Sequence, residues 1–267
     1  EHPRLGVVDV CPFVPLQNIT MAECADLARR VVDEVAQSHD VPLFLYGAAA
    51  SMKERTMLSD LRRGEYEGLH ARLTGGETSH ADATRLPDAG ASKWSPLVAR
   101  SGGITVGARS ILVAYNVNLR EQGATVAKKV GSIVRSSGRL LKSDAGGKIR
   151  SKGMLPNVQG MGVPVDELGI SQVSMNLLDV ESCPLHLAFK TCESLANDHG
   201  VDLCGSEIVG LVPLAAMVDA GRYFNPKAET EEELVQTAVN CLGLNEHHEF
   251  IPHQHIIEWA LRQEVIS

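Results

Sequence analysis

The chain has 267 residues, enough to bury one large hydrophobic core or two smaller ones. Its formal net charge of −8 and its aromatic content of 4% argue against a protein that binds nucleic acid or a membrane surface. No apolar run reaches the roughly 18 residues that a transmembrane helix requires.

The first half of the chain gives the pattern of one β-α-β unit. Residues 5–14 and 41–46 are rich in apolar and β-branched residues and are predicted strands. Between them, Thr20-x-x-Glu23 forms a capping box that opens a predicted helix over residues 21–38. Residues 55–109 are rich in Gly, Ser and Pro, which predicts short helix and loop.

A single β-α-β unit buries too little area for a stable core. We therefore expect that a preceding β-α-β stretch belongs to this domain and is absent from the chain. In that case the strand at 5–14 or at 41–46 should leave an open edge or an exposed apolar face. The alternative is a complete small domain of three strands.

The second half has a fuller pattern. Strands are predicted at residues 111–119, 158–165, 170–178 and 201–208, with helices at 122–135 and 184–198. This β-α-β-β-α-β order is typical of the split βαβ, or ferredoxin-like, fold, with both helices on one face of the sheet. The stretch at 136–153 shows neither the hydrophobic period of a helix nor that of a strand, and it is predicted to be a loop. Three more helices are predicted at 213–220, 231–242 and 255–262.

Familiar catalytic motifs do not occur in the sequence. It has no phosphate-binding loop, no dinucleotide fingerprint and no nucleophile elbow. The histidines at 247, 248, 253 and 255 offer the only metal-like spacing, and without an H-E-x-x-H motif they are interpreted as a solvated loop, with no metal expected. Six single cysteines without a C-x-x-C pair predict free thiols and a cytoplasmic location.

Three features could bind a ligand or carry chemistry. His2, beside Pro3 and Arg4, is either a frayed terminal residue or a general acid–base. Residues 128–152, from Lys128 to Lys152, include eight basic residues and one acidic residue. They form either a solvated loop or a positively charged surface that attracts an anionic ligand. Amides alternate on two predicted strands and face either water or a ligand cleft; these residues are Asn116, Asn118, Gln172 and Asn176, with Ser174 between the last two.

Six strings along the chain resemble a known family. They are EHPRLGVVDVCP (1–12), LFLYG (43–47), GARSILVAYNVNL (107–119), VQGMG (158–162), ISQVSMNLLD (170–179) and GSEIVGLVPL (205–214). In this order they resemble the glutamate formiminotransferase domain of the bifunctional formiminotransferase-cyclodeaminase, over residues 1 to about 260.

The resemblance implies transfer of a formimino group from N-formiminoglutamate to N5 of tetrahydrofolate, the co-substrate, with release of glutamate in histidine breakdown. It also implies two similar α/β subdomains with a folate tunnel between them, at residues 1–109, partial at its start, and 110–267. A homodimer is expected, with any cyclodeaminase a separate protein.

The resemblance also assigns residues. The catalytic proton shuttle falls on His2. The folate-contact stretch falls on Lys93, Trp94, Ser95, Pro96, Leu97, Val98, Ala99, Arg100, Ser101 and Gly102. Candidate substrate-binding residues are Arg4, Asp9, Tyr46, Asn116, Asn118, Gln172 and Asn176. The chain departs from the family at 87–91, where PDAGA replaces a PDFGP-like string, and at Ala48, where a glutamate is common.

Two rival functions stay open at this point. The chain could be a folate-binding relative that does not turn over substrate. It could also be an enzyme of the family that uses a formyl donor, or another amino-acid donor.

Overall fold

The computed structural model describes residues 4–75, 86–142 and 146–264. The chain divides into two compact units, Glu1–Ser110 and Ile111–Ser267. Each unit combines β-strands with helices, so the predicted α/β fold class is confirmed. Within the described ranges, no helix has both the length and the apolar character that membrane crossing demands.

The first unit is built on a four-stranded sheet. Its strands are β1 (Asp9–Phe13), β2 (Pro42–Gly47), β3 (Ala89–Gly90) and β4 (Ile104–Ala108). Its helices are α1 (Met21–Ser38), α2 (Leu58–Leu61), α3 (Leu69–Thr74) and α4 (Pro96–Ser101). The strand order is β1-β4-β2-β3, and β4 is parallel to both of its neighbours.

The prediction of helix and loop for residues 55–109 is wrong at β4, one of the two inner strands of this sheet. A buried parallel strand lacks the alternation that marks a half-exposed one, and here glycines border the short apolar run. Gly107 is needed for packing rather than for a turn, because a Cβ there would lie 2.5 Å from the Tyr46 ring. The Gly-, Ser- and Pro-rich composition of residues 55–109 therefore gave no indication of strand β4.

Helix α1 was predicted correctly from its first turn. Thr20 and Glu23 form the complete capping box, and Ala25, Ala28 and Val32 face the sheet. Among the described residues, β1 pairs only with β4, so β1 is one of the two edge strands of this open sheet.

The second unit has a four-stranded antiparallel sheet and a separate hairpin. Its strands are β5 (Val113–Leu119), β6 (Arg139–Lys142), β7 (Lys148–Ser151), β8 (Val158–Val165), β9 (Ile170–Leu177) and β10 (Leu203–Val209). Its helices are α5 (Thr125–Val134), α6 (Leu185–Asn197), α7 (Leu214–Phe224), α8 (Glu231–Leu242), α9 (Pro252–His255) and α10 (Ile257–Glu264). The sheet order is β10-β5-β9-β8, the arrangement predicted for a split βαβ unit.

One face of this sheet forms the core. Val113, Tyr115 and Val117 on β5 are fully buried against α5 and α6, as strand alternation requires. The predicted pairing of the first and last strands is confirmed, with Ser206 opposite Val117 and Ile208 opposite Tyr115. The opposite face of the sheet carries the alternate, polar side chains.

The predicted loop at 136–153 is wrong, because it contains the β6–β7 hairpin. Leu141 lies opposite Ile149 and Lys142 opposite Lys148 in an antiparallel register. Its apolar residues are few and exposed, so neither strand shows a buried face in the sequence. Backbone pairing, not side-chain burial, defines these strands.

The cysteines are free thiols that differ in burial. Burial raises the pKa of Cys183 to about 11, with a smaller effect from Asp179, and burial also raises the pKa of Cys192. Cys241 is exposed. We expect iodoacetamide at neutral pH to label Cys241 first and to reach Cys183 and Cys192 only after unfolding, because the thiolate is the reactive form. Mass spectrometry of peptides checks this, and native labelling of Cys183 as fast as Cys241 would contradict it.

Candidate functional site

The outer face of the second unit's sheet carries a cluster of polar side chains on neighbouring strands. In the central row, Glu207 of β10 lies opposite Asn116 of β5, which lies opposite Ser174 of β9. In the next row, Asn118 lies opposite Gln172. We call this group, which also includes Asn176, the polar sheet face.

Hydrogen bonds join the polar sheet face into one network. The Gln172 Nε2 donates to Asn118 Oδ1 at 2.9 Å and to Glu207 Oε2 at 3.2 Å. The Asn116 Nδ2 donates to the same Glu207 oxygen at 3.2 Å. Asn176 lies to one side and donates to Gln159 Oε1 at 3.4 Å. The structure thus brings together three of the predicted amides and sets the fourth apart.

Glu207 is the residue at the centre of this network that sequence reasoning missed. It stands between two buried residues of β10, Ser206 and Ile208, so alternation places it on the outer face. The same alternation that identified the amides could have identified it. Its partners, however, lie 91 and 35 residues away in the chain.

In the first unit, the segment that follows His2 is attached to the end of the predicted folate-contact stretch. His2 itself lies outside the described residues. The Val7 N–H donates to the Ser101 carbonyl at 2.9 Å, and the Gly103 N–H donates to the Leu5 carbonyl at 3.0 Å. A Cβ on Gly6 would lie 2.5 Å from the Gly103 oxygen, so this close approach requires glycine.

The predicted folate-contact stretch, Lys93 to Gly102, forms a short capped helix, α4. Ser95 is the N-cap and accepts from the Val98 N–H at 3.2 Å, and Pro96 begins the helix. Trp94 is half-buried and packs edge-on against His70, with ring centroids 4.9 Å apart. The Ser95 cap and the packing of Trp94 fix the backbone of this stretch, while Lys93 and Arg100 remain exposed.

Two candidate substrate-binding residues in the first unit have structural partners. Arg4 is exposed and pairs with Glu67 at 2.9 Å. The Asp9 carboxylate accepts from the Leu5 N–H at 2.7 Å and forms an ion pair with Arg62. Asp9 therefore holds the backbone of the segment that follows His2.

Tyr46 is buried on β2, beside Gly107. Among the described residues its hydroxyl makes no hydrogen bond of standard geometry, although the Arg109 side chain lies close enough to act as a donor. Burial raises the pKa of the Tyr46 phenol, and the charges of Arg109 and Arg62 act in the opposite direction. The phenol is therefore neutral at physiological pH.

The basic residues of the β6–β7 hairpin are exposed and partly share one face. Lys148 and Arg150 alternate along β7, and Lys142 lies opposite Lys148. Lys152 follows at the next alternate position. The two strands thus concentrate positive charge on one side of an exposed ribbon.

His247 and His248 lie in a loop, as predicted, and His248 is exposed, whereas His253 and His255 belong to helix α9 and contact aromatic rings. The His253 ring lies 5.1 Å from Trp259, and the His255 ring stacks on Phe250 at 4.9 Å. In the ranges that the structure describes, no group of three or more His, Cys, Asp or Glu side chains could hold a metal ion.

Two family models match the chain. The model described as "Formiminotransferase domain, N-terminal subdomain" covers residues 1–109, and the one described as "Formiminotransferase domain" covers residues 114–262. Together they account for nearly all of the chain.

Curated relatives agree with these matches. A protein of Dictyostelium discoideum named formimidoyltransferase-cyclodeaminase is 36% identical over 99% of this chain and 47% of its own length. The Rattus norvegicus protein of the same name is 38% identical over 98% of this chain and 46% of its own length. The chain thus spans about half the length of these relatives. A Streptococcus pyogenes protein named glutamate formimidoyltransferase is 36% identical over 84% of this chain and 67% of its own length.

Proposed function

The chain belongs to the formiminotransferase domain family, and on that premise we propose that it transfers the formimino group of N-formimino-L-glutamate to N5 of tetrahydrofolate. The products are 5-formiminotetrahydrofolate and glutamate, in histidine degradation. The observation that carries the proposal is the match, over 84 to 99% of the chain, to relatives named for formimidoyl transfer. The free thiols fit a cytoplasmic enzyme.

The reaction requires that a proton be moved between two nitrogen atoms. N5 of tetrahydrofolate attacks the formimino carbon and gives up its own N–H proton to His2, and the bond from that carbon to the glutamate nitrogen then breaks. The departing nitrogen must gain a proton, which we assign to His2 because an imidazole titrates near neutral pH. Asp9 supports this role through its hydrogen bond to the Leu5 N–H, three residues further along the chain.

Ligand binding is assigned to both units, each by its own residues. Lys93 to Gly102 is the folate-contact stretch, with a backbone fixed by the Ser95 cap and by Trp94 packing. Asn116, Asn118, Gln172 and Asn176 supply amide donors and acceptors suited to the polar groups of the substrates. In the first unit, Arg4 and Tyr46 remain candidate contacts. We expect the enzyme to be a homodimer that passes its product to a cyclodeaminase.

The test of the proposal is an assay of the purified chain with tetrahydrofolate and either N-formiminoglutamate or N-formylglutamate. We expect tetrahydrofolate-dependent release of glutamate with the formimino donor, and slower release with the formyl donor. Faster transfer from the formyl donor would make the chain a formyltransferase of the family. Tight folate binding without turnover would make it a folate-binding relative.

The basic hairpin gives a prediction about polyglutamylated folate. Exposed charges contribute roughly 0.2–1 kcal/mol each and act largely on encounter rate. Changing Lys148, Arg150 and Lys152 together to Ser should weaken binding of polyglutamylated tetrahydrofolate more than of the monoglutamate, because the longer tail carries more carboxylates. The difference should shrink as salt rises.

The binding constants are measured at low and at high salt for both ligands. A control variant with Arg30, Arg222 and Lys227 changed to Ser removes the same charge from other exposed positions. Equal weakening for the two ligands, or no dependence on salt, would leave the hairpin as an ordinary solvated ribbon.

A further inference from the structure

We propose that Glu207 is the residue that selects a formimino donor over a formyl donor, by pairing its carboxylate with the cationic amidinium of the formimino group. The inference rests on the proposed function and adds the recognition of the transferred group. It assigns this role to a residue on the polar sheet face that the amide pattern did not include.

The first argument is the charge environment of Glu207. It is a partly buried carboxylate on a β-strand, and none of the ion pairs formed by the described residues includes it. Its neighbours on the polar sheet face are neutral amides and a serine hydroxyl. A partly buried charge without a counter-ion is costly, so a cationic ligand group gains from binding beside it.

The second argument is the orientation of the carboxylate. Both hydrogen bonds from the sheet, those of Asn116 and Gln172, go to Oε2 at 3.2 Å. Among the described residues no donor is bound to Oε1. Two amides thus fix one oxygen, and the other is left for a ligand in a pre-set direction. Pre-organisation of this kind lowers the entropic cost of binding.

The third argument is the chemistry of the donor. A formamidine is protonated near neutral pH and is then a planar cation with several N–H groups. A carboxylate binds a planar group of this type through charge-assisted and often paired hydrogen bonds. A formyl group is neutral, and its oxygen can accept a hydrogen bond but cannot donate one. Facing Glu207, it would place an acceptor against a carboxylate, which is unfavourable.

The amino edge of a pterin also presents N–H donors, but it is neutral. The lack of a cationic partner for Glu207 therefore favours the formimino group over the pterin. The two assignments predict different kinetic results for the same variant.

The experiment is steady-state kinetics of Glu207→Gln with both donors and tetrahydrofolate. A charge-assisted hydrogen bond is worth enough that kcat/KM for N-formiminoglutamate should fall by about 10- to 100-fold, mostly through KM. The value for N-formylglutamate should hold or rise, and KM for tetrahydrofolate should stay unchanged. Glu167→Gln, at an exposed position of the same unit, is the control with the same change of charge and should match the parent protein.

The possible kinetic results distinguish failure of the inference about Glu207 from failure of the proposed function. A raised KM for tetrahydrofolate with an unchanged donor KM would assign Glu207 to the pterin and overturn the inference. An unchanged ratio of formimino to formyl activity would also overturn it while leaving the proposed function standing. Absence of formimino transfer by the parent protein would instead overturn the proposed function, and the inference with it.

A second measurement needs no variant, in case Glu207→Gln does not fold. Acetamidinium chloride should inhibit the parent protein competitively against N-formiminoglutamate and not against tetrahydrofolate. Acetamide, which has nearly the same shape without the charge, should inhibit far more weakly. Equal inhibition by the two compounds, or none by acetamidinium, would contradict the pairing.

Discussion

Replacing His2 with Ala should lower kcat by roughly 10²–10⁴-fold, the usual contribution of a positioned general acid or base. The glutamate nitrogen is a poor leaving group until it is protonated, so loss of the acid slows the step that breaks the C–N bond. Folate affinity should be retained, because a single imidazole contributes little to holding a large ligand. The measurements are single-turnover rates together with equilibrium binding of tetrahydrofolate.

A matched variant and a rescue experiment make this prediction specific. His199→Ala removes an exposed histidine of the second unit and should leave kcat unchanged. Added imidazole should restore part of the activity of His2→Ala, since a diffusible acid can supply the missing proton. A normal kcat in His2→Ala would remove this residue from the mechanism, and lost folate binding would assign it a binding role instead.

Replacing Gly131 with Ala should destabilise the second unit by about 1–3 kcal/mol. Gly131 lies on the face of α5 that packs on β8, and a Cβ there would lie 2.6 Å from the backbone carbon of Met161. A backbone atom cannot rotate away, so α5 must move off the sheet and loosen the packing of buried neighbours such as Val130 and Val134. In the absence of this contact, the better helix propensity of Ala would stabilise the helix by about 1 kcal/mol.

The two effects have opposite signs, so a urea unfolding experiment decides between them. Gly147→Ala is the control, because a Cβ there meets no atom within 4 Å. We expect its unfolding midpoint to stay close to that of the parent protein. A higher midpoint for Gly131→Ala would show that α5 does not pack closely on β8 in solution.

The sequence predicted well wherever the physical signal is local. Helix α1 was located by Thr20 and Glu23, three residues apart, and its capping box is present. The four strands and two helices of the split βαβ unit followed from hydrophobic periodicity, with shifts of a few residues at their ends. The alternation on β5 and β9 placed the amides of the polar sheet face on one side of the sheet. Six short strings in a fixed order indicated the family.

The sequence failed where close packing, backbone pairing or the partner of a side chain appears only in the folded chain. Glycines beside β4 predict turns, yet Gly107 is there because the Tyr46 ring occupies the space of its side chain. The β6–β7 hairpin is defined by backbone pairing between segments without a buried face. The Asp9 carboxylate was a candidate substrate contact, and the fold gives it the Leu5 N–H and Arg62 as partners.

Capping, periodicity and strand alternation were thus determined by the sequence alone, because they depend on residues within one or two turns or strands of one another. The tertiary structure alone decided that β4 lies between β1 and β2, and that the Leu5–Val7 backbone pairs with residues 101–103. It also decided that the side chains of Asn116 and Gln172 both donate hydrogen bonds to the same carboxylate oxygen of Glu207. These contacts join segments 35 to about 100 residues apart, and hydrogen bonding and packing between such segments leave no periodic trace in either one.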